Sequence, residues 1–239
     1  MQTLVDALAA RLPKSSIKLN YSVRSLETSN RGWKLITDQG LELYADAVII
    51  AIPANHAAGL VNRVDQPLAA DLSRIENASS AVINLTYKRQ NISHPLDGFG
   101  FVVPAIENRT IIACSFTSVK LAGRAPEGYV LLRCFVGGAI QPEVYNRDDS
   151  SLVEMAHKEL CELLQIKAQP TFALVHRYPK SMPQYRVGHV ELVAKINDRV
   201  SKHTGLAIAG NSYGGVGIPD CIHSGESVAE AVLKRLLES

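Results

Sequence analysis

The sequence lacks the marks of several common classes of protein. It has no run of Lys or Arg, and only 6% of its residues are aromatic, so neither the basic stripe nor the stacking aromatics of a nucleic-acid surface are present. Its longest apolar stretch, residues 45–60, contains Asp46, Pro53, Asn55 and His56, and it is too short and too interrupted to cross a bilayer. We therefore expect no nucleic-acid partner. The sequence leaves peripheral contact with the inner face of a membrane, and a homodimer, open.

Cysteine is sparse and scattered. The four residues Cys114, Cys134, Cys161 and Cys221 form neither a CxxC pair nor a Cys/His ligand spacing, so no metal site is expected. Their positions in apolar segments predict reduced thiols in a cytoplasmic protein. The seven histidines likewise lack any mutual ligand or catalytic spacing.

The composition is typical of a protein with a folded hydrophobic core. The 239 residues are 46% hydrophobic and carry a net charge of +2, and this length allows one large domain or two smaller ones.

The first part of the chain shows strand patterns. Residues 17–23 alternate, and Asp38-Gln39-Gly40 between residues 33–37 and 41–43 predicts a hairpin. Residues 47–52 are apolar without alternation, as in a strand covered on both faces in a parallel sheet.

The middle of the chain has a different texture. Gly/Pro turns separate strand-like runs, which predicts an antiparallel sheet from residues 81–87, 98–103, 110–116 and 129–136. An amphipathic helix is expected over 148–165, with Asp149 or Ser150 as its cap. A further strand over 171–177, an irregular segment over 179–185 and a helix over 188–203 complete this part.

These patterns predict a mixed α/β (α+β) fold whose two ends belong to one domain. The expected division is 1–55 and 205–239 in one domain and 56–204 in the other.

Near the end of the chain, an apolar strand runs into a loop with four glycines and then into a helix that begins near Pro219. This is not a Walker loop, because Ile218 and Pro219 stand where Lys and Ser or Thr are needed. It is not a Rossmann fingerprint either, because Gly210, Gly214, Gly215 and Gly217 have the wrong spacing and no second strand follows. Two interpretations stay open: a tight strand-to-helix connection, or a helix N-terminus that faces a planar ring. Asp220 at that terminus would repel a phosphate.

Five segments, in this order, resemble the protoporphyrinogen oxidases, which belong to the FAD-dependent amine-oxidase superfamily. They are Met1-Gln2-Thr3-Leu4, the ADAVIIAIP strand at 45–53, GFGFVVP at 98–104, MPQYRVGH at 182–189 and GNSYGGVGIPDCI at 210–222. The resemblance implies an incomplete FAD-binding, Rossmann-like domain and an antiparallel-sheet substrate domain.

The resemblance also implies roles for single residues. Six positions match residues that contact FAD in the family: Val23, Tyr178, Asn211, Val216, Gly217 and Ile218. Tyr178 stands where many relatives carry tryptophan. Four positions match residues that face the tetrapyrrole: Phe99, Gly100, Val102 and Phe135. No side chain is implied as a catalytic acid or base, since FAD accepts the hydride.

The family's GxGxxG fingerprint, and the basic residue that pairs with a substrate carboxylate, lie in an N-terminal half that is not in this sequence. The expected partners are therefore that N-terminal half and a porphyrinogen, either protoporphyrinogen IX or coproporphyrinogen III, and we expect the chain alone to be inactive. Two other interpretations stay open: a binding or regulatory remnant without cofactor, and another amine-oxidase-like enzyme. The MPQYRVGH segment argues against the second of these.

Overall fold

The structure is a computed structural model that describes residues 2–30 and 32–238. Met1, which opens the first of the five segments, lies outside the described residues. The helices are α1 (Gln2–Ala9), α2 (Ala54–Val61), α3 (Gln66–Ser73), α4 (Thr117–Lys120), α5 (Asp149–Leu164), α6 (His189–Ser201) and α7 (Ile218–Glu238). The strands are β1 (Val23–Ser29), β2 (Gly32–Thr37), β3 (Glu42–Ala45), β4 (Val48–Ile50), β5 (Asn77–Lys88), β6 (Gly100–Val102), β7 (Ala113–Phe116), β8 (Tyr129–Gly137), β9 (Phe172–Pro183) and β10 (Leu206–Ile208).

The chain divides into two compact units. The first combines the segment up to Ile75 with the segment from Tyr185 onwards, and the second comprises Glu76–Gln184. This division differs from the predicted boundaries at 55 and 204. The reason is packing: α2, α3 and α6 bury their apolar sides in the core of the first unit. The roles assigned to the two domains stay predictions.

The first unit contains two small sheets. Strands β1, β2 and β3 form an antiparallel sheet, and β4 pairs with β10 in parallel, with Val48 opposite Leu206. The indole N–H of Trp33, a buried residue, donates to the Thr204 carbonyl at 2.9 Å, which ties β2 to the turn before β10. The predicted hairpin and the parallel pairing are confirmed.

An ion-paired carboxylate joins α3 to α6 in the same unit. Asp71 is 4% exposed and accepts from Lys195 Nζ at 3.0 Å and from Arg199 Nε at 2.8 Å. Burial alone would raise the pKa of Asp71, but these hydrogen bonds and charges outweigh it and lower the pKa below its ordinary value.

The second unit is a five-stranded antiparallel sheet in the order β6-β7-β8-β5-β9. One side of β5 and of β8 is buried against α5, whose buried residues Leu152, Ala156, Leu160 and Leu164 recur at the four-residue spacing of a helix face. The side of the sheet away from α5, here called the open face, carries the alternate residues. Its members include Val82, Asn84, Gly100, Val102, Ala113, Ser115, Arg133, Phe135, Leu174, His176 and Tyr178.

Some sequence-based expectations differ from the structure. Residues 17–22 form no strand, because this segment has no pairing partner, and β1 begins only at Val23. The segment 179–185, expected to be irregular, is largely part of β9, which runs through Pro179 to Pro183. Because β9 is an edge strand, prolines that cannot donate to a ladder are tolerated there. The predicted helix over 148–165 is confirmed, but its cap is Asp148, which accepts from the Ser151 amide.

Two kinds of feature are absent from the described part of the chain. None of its helices is long and apolar enough to cross a membrane. Within residues 2–30 and 32–238, no group of three or more His, Cys, Asp and Glu side chains is placed to hold a metal ion.

Candidate functional site

The glycine loop connects β10 to α7 and is held by the chain's own side chains. Its first amide, at Gly210, donates to Ser224 Oγ on α7 at 3.1 Å. Ser212 is 1% exposed, and its Oγ accepts from the Ala54 amide, at the start of α2, at 3.2 Å. The loop is therefore anchored on both sides by hydrogen bonds within the chain.

Tyr185 bridges the loop from the side. Its hydroxyl donates to the Asn211 carbonyl at 2.6 Å and accepts from the Gly215 amide at 2.9 Å. The Tyr185 ring stacks on the His189 ring with centroids 3.9 Å apart, and His189 Nε2 donates to the Tyr213 carbonyl at 3.2 Å. Burial raises the pKa of the Tyr185 phenol, so the donor proton stays in place. The MPQYRVGH segment thus positions the loop.

Asp220 organises the start of α7. Its Oδ2 accepts from the Gly217 amide at 3.1 Å, as a carboxylate in the first helical turn does when it caps the helix. A carboxylate here offsets the positive end of the helix dipole. The helix start is therefore a poor phosphate site and fits an uncharged group better.

The four loop residues expected at the flavin lie within eight residues of one another and differ in exposure. Val216 is 56% and Ile218 is 47% exposed, whereas Asn211 and Gly217 are half-buried. The apolar side chains of Val216 and Ile218 thus present a surface that another group can cover.

Val23 lies elsewhere in the first unit. It lines a cavity of about 560 Å³ at the carboxyl end of β4, together with apolar residues such as Leu35 and Ile50. In open α/β sheets, ligands bind outside the carboxyl ends of the parallel strands. The place of Val23 therefore suits a cofactor contact.

Three of the four residues expected at the substrate meet on the open face of the second unit. Val102 and Phe135 both pair with Ala113, and they line a cavity of about 480 Å³. Gly100 lies one row further along, opposite Ser115. A Cβ at Gly100 would lie 2.1 Å from the Cys114 carbonyl oxygen, so only glycine fits.

The remaining two predicted residues lie in, or directly before, the two edge strands of this sheet. Phe99 is 70% exposed just before β6, and its carbonyl accepts from the Phe116 amide at 3.0 Å. Tyr178, expected beside the flavin, belongs to β9 of the second unit and is 40% exposed.

Sequence reasoning missed two functional candidates. Tyr185 was part of a recognised segment but had no assigned role, and its role depends on a contact with residues 26 and 30 positions away. Arg133 stands two residues before Phe135 and therefore on the same face of β8, a signal that the strand period alone provides.

A glycine loop between a parallel strand and a long helix in one unit, together with an antiparallel sheet in the other, is the combination of elements found in flavin-dependent oxidoreductases. The crystal structure of a putative protoporphyrinogen oxidase from Exiguobacterium sp. 255-15 matches 97% of this chain with a TM-score of 0.84 and 26% identity, and the match covers 50% of that chain. The sequence model of the family described as flavin containing amine oxidoreductase matches residues 1–233. The chain belongs to this family.

Two curated relatives match nearly the whole of this chain and about half of their own length. Coproporphyrinogen III oxidase of Staphylococcus aureus (strain NCTC 8325 / PS 47) is 32% identical over 99% of this chain and 51% of its own length. Protoporphyrinogen oxidase of Bos taurus is 33% identical over 98% of this chain and 50% of its own length. The chain thus spans about half the length of the curated relatives that it matches.

Proposed function

We propose that this chain is the C-terminal portion of an FAD-dependent oxidase that converts protoporphyrinogen IX or coproporphyrinogen III to the porphyrin, with oxygen as the acceptor. The observation that carries the proposal is the 32% identity to a coproporphyrinogen III oxidase along 99% of the chain. An amine substrate or a cofactor-free role has no comparable support.

The residues of the first unit fit one side of a flavin. The exposed side chains of Val216 and Ile218 are apolar, and the Asp220 carboxylate disfavours a phosphate at the same helix start. In this proposal Asn211, Val216, Gly217 and Ile218 hold the ring system, Val23 contacts the adenine, and Tyr178 lies beside the flavin. FAD, when bound, supplies the electron-accepting chemistry.

The open face of the second unit supports a largely apolar macrocycle as the substrate. Phe135 and Val102 offer apolar surface on this face, and no acid competes there, because none of the five strands contains Asp or Glu. Phe99 adds an exposed apolar side chain just before β6. Such a surface excludes water from one side of a macrocycle and leaves orientation to a few polar groups. The role of this chain is then to bind and orient the substrate.

The partner of the chain in this proposal is an N-terminal half like the one that its relatives possess. Apolar side chains on the outside of the first unit support it: on α1, Val5 is 52% and Leu8 is 55% exposed, and on β4, Ile49 is 40% exposed. Exposed apolar surface of this kind marks a place where another part of a protein packs. A cytoplasmic location, contact with the membrane surface and a homodimer stay predictions.

The test is an oxidation assay on the assembled protein. The chain is fused behind the half of the Staphylococcus aureus relative that the match leaves uncovered, supplied with FAD, and given each porphyrinogen separately. We expect porphyrin fluorescence and peroxide to appear together with at least one substrate.

The matched control is the same fusion with Phe135→Asp, which places a charge on the open face while leaving the loop between β10 and α7 unchanged. We expect this variant to retain flavin and to lose most of its activity. A flavin-loaded fusion that oxidises neither porphyrinogen, or a variant as active as the parent, would contradict the proposal.

A further inference from the structure

The open face carries one arginine near its centre. Arg133 lies on β8, the middle strand of the sheet, with Ser115 opposite it on β7 and Asn84 opposite it on β5. Phe135 follows two residues later on the same face, about 7 Å further along the strand. Arg133 therefore lies within the surface to which, in the proposed function, the macrocycle binds.

Arg133 finds no polar partner in the described part of the chain. Its Nε is buried without a hydrogen bond, and its Cζ lies 5.6 Å from the centroid of the Phe135 ring. The polar side chains opposite Arg133 bond elsewhere: Ser115 Oγ donates to the Phe99 carbonyl and Asn84 Nδ2 to the Leu174 carbonyl, and neither accepts a hydrogen bond from the guanidinium.

Arg177, in the same sheet, is an arginine that does have polar partners within the chain. Its side chain, on the other face of β9, forms an ion pair with Asp149 at 2.6 Å and also donates to the carbonyl oxygens of Tyr145 and Arg147. Arg133 has none of these contacts, and none of the five strands contains an acid to supply one. A partly buried cation without an anion is costly, so its retention points to an anion from outside the strands.

We propose that Arg133 binds a carboxylate of the substrate while the macrocycle packs on Phe135, and that it thereby favours coproporphyrinogen III over protoporphyrinogen IX. This inference rests on the proposed function. Coproporphyrinogen III carries a carboxylate on each of its four rings, whereas protoporphyrinogen IX carries two at one edge. A guanidinium in the middle of the sheet is separate from any basic residue in an N-terminal half. It reaches a carboxylate more readily in coproporphyrinogen III, because that substrate has a carboxylate on every ring.

The test measures binding of stable porphyrins to this chain by fluorescence titration. Coproporphyrin III and its uncharged tetramethyl ester are the probes, and Arg133→Gln, Arg133→Lys and Lys88→Gln are the variants. Lys88→Gln is the matched control, because Lys88 is an exposed cation at the end of β5 in the same sheet.

We expect Arg133→Gln to weaken coproporphyrin III binding about tenfold, the effect of losing one charge-assisted hydrogen bond, and to leave binding of the ester unchanged. Arg133→Lys should recover part of the loss, and Lys88→Gln should have little effect. In the assembled enzyme, Arg133→Gln should raise KM for coproporphyrinogen III more than for protoporphyrinogen IX and leave kcat nearly the same.

Two results would overturn the inference alone: equal binding of coproporphyrin III by Arg133→Gln and the parent, or an equal loss for the acid and the ester, which would mean a packing role. If the parent chain bound neither probe, both the inference and the proposed substrate surface would fail. The two failures are thus distinguishable.

Discussion

At the scale of single residues, the adjacent loop glycines Gly214 and Gly215 have different surroundings. A Cβ at Gly215 would lie 2.5 Å from Asp220 Cγ, whereas a Cβ at Gly214 would meet nothing within 4 Å. Gly215 therefore lets the loop pass close to the carboxylate that caps α7, and Gly214 has no such neighbour. The close approach explains why the loop needs glycine at this point.

This difference gives a matched pair of variants. Gly215→Ala must displace Asp220 and should cost about 1–3 kcal/mol of unfolding free energy, as overpacking does, whereas Gly214→Ala should change it by less than about 0.5 kcal/mol. Urea unfolding of both variants measures the two costs. Equal costs would show that the contact with Asp220 does not constrain the loop.

At the scale of elements, the packing of α3 on α6 depends on a charge. The pKa of Asp71 is lowered in the folded chain, since the hydrogen bonds from Lys195 and Arg199 outweigh its burial. Asp65, the cap of α3, also has a lowered pKa. Desolvation raises it, but the hydrogen bonds from His203 at 2.9 Å and from the Leu68 amide, together with the nearby positive charges, outweigh this effect. Both contributions are fully present above the unfolded pKa of about 3.9 and are lost as the pH falls through the lower folded values.

We therefore expect Asp71→Asn to destabilise the chain by about 2–3 kcal/mol at pH 7 and to reduce its loss of stability between about pH 5 and pH 3. Asp46→Asn, at an exposed position, is the control. Urea midpoints measured across this pH range give the comparison. A pH dependence as steep in Asp71→Asn as in the parent would contradict this account of the α3–α6 contact.

The elements also show how far the sequence could predict the fold. Local patterns were sufficient for the hairpin before β3, for α5 and for the antiparallel strands of the second unit. They failed at residues 17–22, where an alternating segment has no partner, and at Pro179, where only the edge position of β9 makes a strand acceptable. Both failures concern which strands become neighbours, and local pattern does not encode this.

In the candidate site, too, local sequence pattern predicted some residues and not those whose role depends on contacts made by the fold. The loop at Gly210 could be recognised because its glycines are contiguous in sequence. The role of Tyr185 could not, because it depends on contacts with Asn211 and Gly215 that only the fold creates. Arg133 lies between these cases: strand period places it beside Phe135, but its lack of a partner is visible only in three dimensions.

At the scale of the whole molecule, the first unit leaves many apolar side chains exposed. None of the residues of α7 within Ile218–Glu238 is buried, and its Leu233 and Leu237 are 58% and 79% exposed. The parallel sheet has two strands, and Ile49 on β4, expected to be covered, is 40% exposed. We infer that this unit supplies one side of a flavin site and that the other side comes from the half that the relatives have in addition.

The flavin content of the purified protein tests this central claim most directly. The chain is prepared alone, and also fused behind the uncovered half of the Staphylococcus aureus relative, and flavin absorbance is measured per mole of chain. The account predicts that the chain alone purifies with far less than one FAD and that the fusion carries close to one. One tightly bound FAD per chain in the protein prepared alone would contradict it.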